Sequence, residues 1–274
     1  MDKTEFLVLL KEHKKWIDSK GNEGKRLYAY GIDLRGLDLR GLDLSRVTIK
    51  HSDFSGCNAR GVSFHAANLT GCDFRRSNLD SAKFSATNLA MSDLQDASAY
   101  QTYFGSANFC GANLKDCLFD KAIFDFAILH DVNATRASFR KCSMDSSDFS
   151  RAILTATDFE GANLSEANFY LTILNNSNMS KANCTATNFE HASMSDINLS
   201  AADLRWATGP VAMAQFGRHY ATAGGGYISI GCVRKPYADW IKNFETVGLE
   251  YGYTQDEIKR YGEWIKTVVD WLDK

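Results

Sequence analysis

The chain has 274 residues, of which 45% are hydrophobic, and its formal net charge at pH 7 is −2. This composition supplies enough apolar material for a core, and the balanced charge argues against direct nucleic-acid binding through a strongly basic surface. No apolar run approaches the roughly 18 residues of a membrane-spanning helix. The 7 cysteines lack disulfide-framework spacing, so we expect a cytoplasmic protein that does not bind membranes.

The N-terminus is predicted to be an amphipathic helix. Between residues 4 and 18, the apolar side chains follow helical i, i+3, i+4 spacing. They are Phe6, Leu9, Leu10, His13, Trp16 and Ile17. We expect this helix to cap the structure that follows, with residues 1–31 forming the cap and its connection.

Residues 32–204 repeat with a period of five. Every fifth residue from Leu34 to Leu204 is uncharged, over 35 positions, and the residue just before it is Asp or Asn in 22 of them. The residue two before it is mostly small. Helices need apolar spacings of three and four, and strands need alternation, so neither explains this period. The chain must instead turn a corner in every repeat, directing one large and one small side chain inward, with Asp or Asn forming the turn.

This pattern resembles the pentapeptide-repeat family, whose repeat is written A(D/N)LXX. Segments 107–111 and 162–166 fit it directly, and the resemblance covers residues 32–204. It implies a right-handed quadrilateral β-solenoid with four repeats per coil, which gives about 8.75 coils here. No register shift interrupts the array, so it lacks the loop insertions of some gyrase-binding relatives.

A small module is predicted after the solenoid, which we assign to residues 32–206. In residues 207–274, segments 211–216 and 227–232 are predicted as a β-hairpin with a turn at 224–226. Two helices follow. Pro236 suits the first position of one helix, and residues 254–257 form a capping box for the other. The whole fold is therefore predicted to be mainly β, with helices at both ends.

The last predicted helix has an unusually wide apolar face. Val268 lies on this face, and Trp264 and Trp271 widen it beyond what one packing partner needs. One interpretation is a subunit interface that forms a homodimer. The alternative is burial of these side chains against both the hairpin and the solenoid.

The sequence predicts no catalytic, metal or cofactor site. Cys57, Cys72, Cys117, Cys142 and Cys184 fall at inward positions, where we expect them to act as small hydrophobic residues. The histidines lack metal-motif spacing, and the triple glycine lacks the Lys-Ser/Thr of a phosphate loop. We therefore expect a protein that is not an enzyme.

Several apolar residues replace the turn-forming Asp or Asn. Because positions 20 apart stack on one face of the predicted solenoid, these residues should cluster. Tyr100, Tyr103, Leu118, Ile123 and Phe126 would gather on two adjacent faces within neighbouring coils. Such a cluster is typical of a protein-binding surface. The alternative is that the side chains lie along the solenoid and cover backbone.

Charge is distributed unevenly along the array. Residues 32–90 contain 8 Lys or Arg and 6 Asp or Glu, whereas residues 91–204 contain 7 and 14, for net charges of +2 and −7.

The favoured hypothesis is a non-enzymatic module that binds a protein partner. The family resemblance implies an alternative, a DNA-mimicking inhibitor or protector of a type II topoisomerase such as gyrase. A third hypothesis, an enzyme in residues 207–274, lacks a recognisable acid, base or metal set.

Overall fold

Helices lie at the two ends of the chain and β-structure lies between them. The computed structural model describes residues 3–209, 212–215, 220–224, 227–230 and 233–272. The elements are α1 (Lys3–Asp18), β1 (Tyr28–Tyr30), β2 (Thr48–Lys50), β3 (Ala212–Gln215), β4 (Tyr220–Gly224), β5 (Tyr227–Ile230), β6 (Val233–Pro236), α2 (Tyr237–Glu250) and α3 (Gln255–Leu272). Over these ranges, no helix combines the length and apolarity needed to cross a bilayer.

Between α1 and β3 the chain has the geometry of a parallel β-solenoid. Residues 20 apart form parallel bridges, beginning with Tyr28 and Thr48 and ending with Asn188 and Thr208. Successive bridges are five residues apart, so each coil has four sides. We number these sides as faces 1 to 4. Their first bridge residues in the repeat array are Asp33, Asp38, Asp43 and Thr48 respectively.

Large side chains from the centre of each repeat fill the interior. The rings of Phe54 and Phe74, one coil apart on face 1, stack with centroids 4.7 Å apart. Phe64, on the opposite face, meets both rings edge-on at 6.0 Å. Aromatic pairs favour these offset and edge-on arrangements. The core is therefore a continuous column of packed side chains along the solenoid.

The small inward residues stabilise contacts between coils. Thr87 Oγ1 donates a hydrogen bond to the carbonyl oxygen of Phe64, 2.6 Å away and 23 residues earlier. Cys72 Sγ donates in the same way to Ile49 O. The five cysteines predicted to face inward are all buried, which confirms that prediction.

Helix α1 covers the N-terminal end of the solenoid, as its apolar face predicts. Phe6 is buried within the solenoid's own hydrophobic core, and Leu9 and Leu10 pack against that core. His13 is fully buried and bonds to Ser45 O on the first coil. These contacts bury core side chains that would otherwise be open to water.

The C-terminal module contains a four-stranded antiparallel sheet, so the predicted hairpin was wrong. The strand order is β3-β4-β5-β6. Predicted strands 211–216 and 227–232 correspond to β3 and β5, whereas β4 and β6 were not expected. Gly224 belongs to β4 and pairs with Tyr227; residues 225 and 226 lie outside the described residues. Pro236 ends β6 and precedes α2, so its predicted place inside the helix was also wrong.

The two C-terminal helices share a second hydrophobic core with the sheet. Trp240 of α2 is buried, and its indole Nε1 donates to Ile228 O at 2.7 Å. The predicted capping box is confirmed, because Thr254 N donates to a Glu257 carboxylate oxygen and Glu257 N donates to Thr254 Oγ1. Such a reciprocal pair satisfies two backbone donors at the start of α3.

Candidate protein-binding surface

Three consecutive repeats present branched apolar side chains on three different faces. Leu118, Ile123 and Ile128 occupy bridge positions of one coil, on faces 2, 3 and 4. Leu118 and Ile128 are 57% and 45% exposed, and Ile123 is half-buried. Each precedes a buried centre, and side chains alternate along a strand, so all three face outward.

These apolar residues replace side chains that stabilise the turn elsewhere in the solenoid. At the equivalent position on face 1, Asp53 Oδ1 accepts a hydrogen bond from Ser55 N at 2.8 Å. Leucine and isoleucine have no acceptor atom, so positions 118, 123 and 128 forgo this bond. Three successive repeats therefore lack a hydrogen bond that stabilises the turn elsewhere in the solenoid.

The apolar surface continues over two corners. At the corner between faces 2 and 3, Lys121 Nζ donates to Tyr100 Oη at 2.9 Å and lies 5.3 Å from the ring centroid. At the corner between faces 3 and 4, Phe126 has a φ of 60° and is 62% exposed. We define the apolar belt as six residues. They are Tyr100, Tyr103, Leu118, Ile123, Phe126 and Ile128.

The structure places the five predicted binding residues in this belt. Tyr103 and Ile123 are bridged on face 3, and the exposed Leu118 lies on face 2. Ile128 was not among the five candidates, although it shows the same replacement of Asp or Asn. It extends the surface to a third face.

The carboxylates beside the belt are held by bonds within the solenoid. Asp125 Oδ1 accepts from Ser143 Oγ at 2.6 Å, and the Asp120 carboxylate accepts from Ser138 Oγ. Asp80 Oδ1 accepts from Tyr100 N at 2.9 Å. These bonds run between adjacent coils and orient the carboxylates along the rod.

A second apolar cluster lies on a different face. Ile153 and Ile173 are bridged on face 1 and are 41% and 40% exposed. At the preceding corner, Leu171 is exposed and the Tyr170 ring meets His191 edge-on at 5.5 Å. This cluster occupies later coils than the belt, so the two surfaces can be altered independently.

Arginines pair with many carboxylates in the acidic half of the solenoid. The ion pairs include Arg136 with Asp116 and Arg140 with Glu160, both at 2.6 Å. Arg151 lies 3.1 Å from the carboxylate of Asp131. The formal charge of −7 is therefore interrupted by cations along the rod, unlike the unbroken charge of a phosphate backbone.

In the described part of the chain, the side chains that could bind a metal ion are dispersed rather than clustered. Across the described ranges, no three His, Cys, Asp or Glu side chains are grouped so as to hold a metal ion. Cys110 is half-buried, with Sγ 4.0 Å from His130 Nδ1. Burial raises the pKa of the Cys72 thiol to about 12. Cys232 lies outside the described residues.

The predicted subunit-interface residues have different environments. Val268 is buried in the core of the C-terminal module, and Trp264 is half-buried against that core. The side chain of Trp271 lies outside the described part of the chain. Burial of Val268 fits the alternative of packing within the chain, and the homodimer stays a prediction.

Comparison with known proteins identifies the repeat. A family model described as pentapeptide repeats matches residues 30–65, 60–96, 102–141, 135–169 and 177–208. No curated protein sequence gives a match. The chain therefore shares its repeat pattern with a defined family over more than half of its length.

The HetL structure shows the same fold. HetL, a pentapeptide repeat protein involved in heterocyst differentiation regulation in the cyanobacterium Nostoc, is 19% identical; the match covers 77% of this chain and 98% of HetL, with a TM-score of 0.56. QnrB1, a plasmid-mediated fluoroquinolone resistance protein, is 16% identical over 65% of this chain and 88% of its own, with a TM-score of 0.44. The repeat pattern and the β-solenoid together show that this chain belongs to the pentapeptide-repeat family.

Proposed function

We propose that this protein is a non-enzymatic interaction module, a rigid right-handed solenoid that binds a protein partner through the apolar belt. The observation that carries the proposal is the exposure of large apolar side chains where the repeat normally has Asp or Asn. Phe126 and Leu118 are more than half exposed. Contiguous exposed apolar surface is typical of interaction sites, whereas single exposed residues are ordinary.

The solenoid suits this role because it holds the belt in a fixed arrangement. The belt repeat on face 3 is bonded to the coils on both sides; Ile123 N donates to Thr102 O of the preceding coil, and Phe124 N donates to Ser143 O of the following coil. Below the belt, Phe104 and Phe124 stack with centroids 4.7 Å apart. A preorganised surface loses little conformational entropy on binding, which favours affinity.

Affinity purification from the native cell tests the proposal. The wild-type protein is compared with a Tyr103→Asp/Ile123→Asp variant and with Ile153→Asp/Ile173→Asp, which makes the same chemical change on face 1. We expect at least one protein to be retained by the wild type and the face 1 variant and to be lost from the belt variant. Retention of every bound protein by the belt variant would show that the belt is not the binding surface.

The alternative is modulation of a type II topoisomerase by DNA mimicry. The support for it is the net charge of −7 over residues 91–204. The ion pairs of Arg136, Arg140 and Arg151 in this region weigh against it. A gyrase supercoiling assay, with and without a fluoroquinolone, distinguishes the two functions. Inhibition of gyrase or protection from the drug by the wild type would support DNA mimicry, and the absence of both effects would exclude this alternative.

A further inference from the structure

The apolar belt runs around the rod rather than along it. Leu118, Ile123 and Ile128 belong to consecutive repeats of one coil. In the coils on either side, Leu118 is bridged to Ser98 and Ser138, and Ile128 is bridged to Asn108 and Asp148. The belt is therefore one coil deep on faces 2 and 4 and two coils deep on face 3, where Tyr103 adds to it. Neighbouring coils are roughly 4.8 Å apart.

We propose that the partner presents an extended segment that crosses the rod at right angles and follows the belt around faces 2, 3 and 4. This inference rests on the proposed function and deepens it. A flat or convex partner surface can cover one face of a four-sided rod, or two faces across a corner. Contact with three faces requires a partner that bends around the rod, and an extended segment fits because the belt is only one or two coils deep. An extended chain also directs alternate side chains to one side, which suits regularly spaced apolar contacts.

The charge within the belt indicates a further property of that segment. Lys121 lies at the corner between Leu118 and Ile123, and its Nζ bonds to the Tyr100 hydroxyl. No carboxylate in the described part of the chain forms an ion pair with Lys121. The nearby Asp120 accepts instead from Ser138 Oγ. Asp120 attracts the Lys121 ammonium without forming an ion pair with it, and an ammonium has three donors, so Nζ can still bind a further carboxylate. We therefore assign to the segment an Asp or Glu between its apolar residues.

A peptide library provides the probe for this proposal. Phage-displayed random peptides of about 16 residues, long enough to span the three faces at roughly 3.4 Å per residue, are selected on the full-length protein. Selected peptides are then measured against single substitutions on each face. Leu118→Ser and Ile123→Ser copy Ser138 and Ser143, and Ile128→Asn copies Asn108, so each substitution reproduces a neighbouring coil. Ile173→Ser on face 1 is the matched control, and a thermal melt of each variant verifies folding.

We expect selected peptides to combine apolar residues with Asp or Glu and to lose roughly tenfold or more in affinity with each belt substitution. Ile173→Ser should leave affinity unchanged. Lys121→Gln should weaken binding and reduce its dependence on salt. A peptide that is insensitive to Lys121→Gln would overturn the assignment of the carboxylate.

Comparing substitutions on different faces distinguishes failure of the crossing geometry from failure of the proposed function. Sensitivity to Ile123→Ser alone would retain the belt as a binding surface and overturn the crossing geometry. Peptides that ignore all three substitutions, or a selection that yields no belt-dependent peptide, would contradict the crossing geometry. Native partners that also survive Tyr103→Asp/Ile123→Asp would then contradict the proposed function as well.

Discussion

The imidazole of His13 joins helix α1 to the first coil of the solenoid, with Nε2 3.0 Å from the carbonyl oxygen of Ser45. On the other side of the ring, Nδ1 accepts a hydrogen bond from Leu27 N at 3.2 Å. Because Nδ1 accepts, the proton lies on Nε2 and the ring is neutral. Burial lowers the pKa of His13 below its ordinary value of 6.5, and the hydrogen bond to Ser45 O and the Asp43 carboxylate oppose this shift only in part.

The attachment of the N-terminal helix should weaken in acid. The pKa of His13 is lower in the folded than in the unfolded chain, so the unfolded chain takes up the proton first as the pH falls. The stabilisation from the neutral ring is complete above about pH 6.5 and is lost as the pH falls towards the lowered pKa. Hydrogen exchange of the α1 amides should therefore accelerate at about pH 5.5 relative to pH 7.5, beyond the intrinsic effect of pH.

Two glutamine variants isolate the contribution of His13. His13→Gln removes the titrating group and should flatten the pH dependence of exchange in α1. His65→Gln changes an exposed histidine on a corner of the solenoid and should leave that dependence intact. Equal pH dependence in the wild type and His13→Gln would show that another group controls the cap.

Phe124 and Phe126 are two residues apart, and truncation should lower the free energy of unfolding at the first and hardly change it at the second. Phe124 is fully buried, with its ring centroid 4.7 Å from that of Phe104, whereas Phe126 is 62% exposed. Phe124→Ala should lower the free energy of unfolding by about 3–5 kcal/mol, because it leaves a cavity in the column of rings. Phe126→Ala should change it by less than about 0.5 kcal/mol. Chemical denaturation of both variants gives the comparison, and similar losses in the two would contradict the assigned orientations.

The solenoid was predictable because its core repeats with a simple period. The buried Phe124 is a centre of the five-residue repeat, and Phe126 is two positions later, at a corner. A period of 20 then predicted that Tyr103 and Ile123 would be neighbours. The sequence could not predict how far each side chain is exposed to solvent; the structure shows that Ile123 is half-buried and Leu118 is exposed.

The C-terminal sheet was less predictable because its strands have weak apolar patterns. The inward residues of β4 include Ala221 and Ala223, which are buried although small. Alanine has low strand propensity, so this segment was not predicted as a strand. In β6, Pro236 resembled a helix start, but it pairs with Tyr227 at the end of an edge strand. An edge tolerates proline because its outer side needs no donor.

Cys110 should be the most reactive thiol of the six described cysteines. It is half-buried, whereas the other five are buried. Burial also keeps the pKa of Cys72 and Cys184 near 12, so their thiolate form is scarce at about pH 8. In a Cys232→Ser background, iodoacetamide should label Cys110 first, as followed by peptide mass spectrometry. The added substitution Cys110→Ser should remove the fast phase, and rapid labelling that persists would show that a buried position opens to solvent.

Site-specific photocrosslinking in the native cell tests the central claim, that the belt is the contact surface for a protein partner. A benzophenone amino acid replaces Leu118, Ile123 or Ile128 in the belt, or Ile173 on face 1 as the control. We predict that all three belt positions form adducts with the same protein and that the face 1 position does not. Adducts confined to position 173, or no adduct from any belt position, would contradict the proposed binding surface.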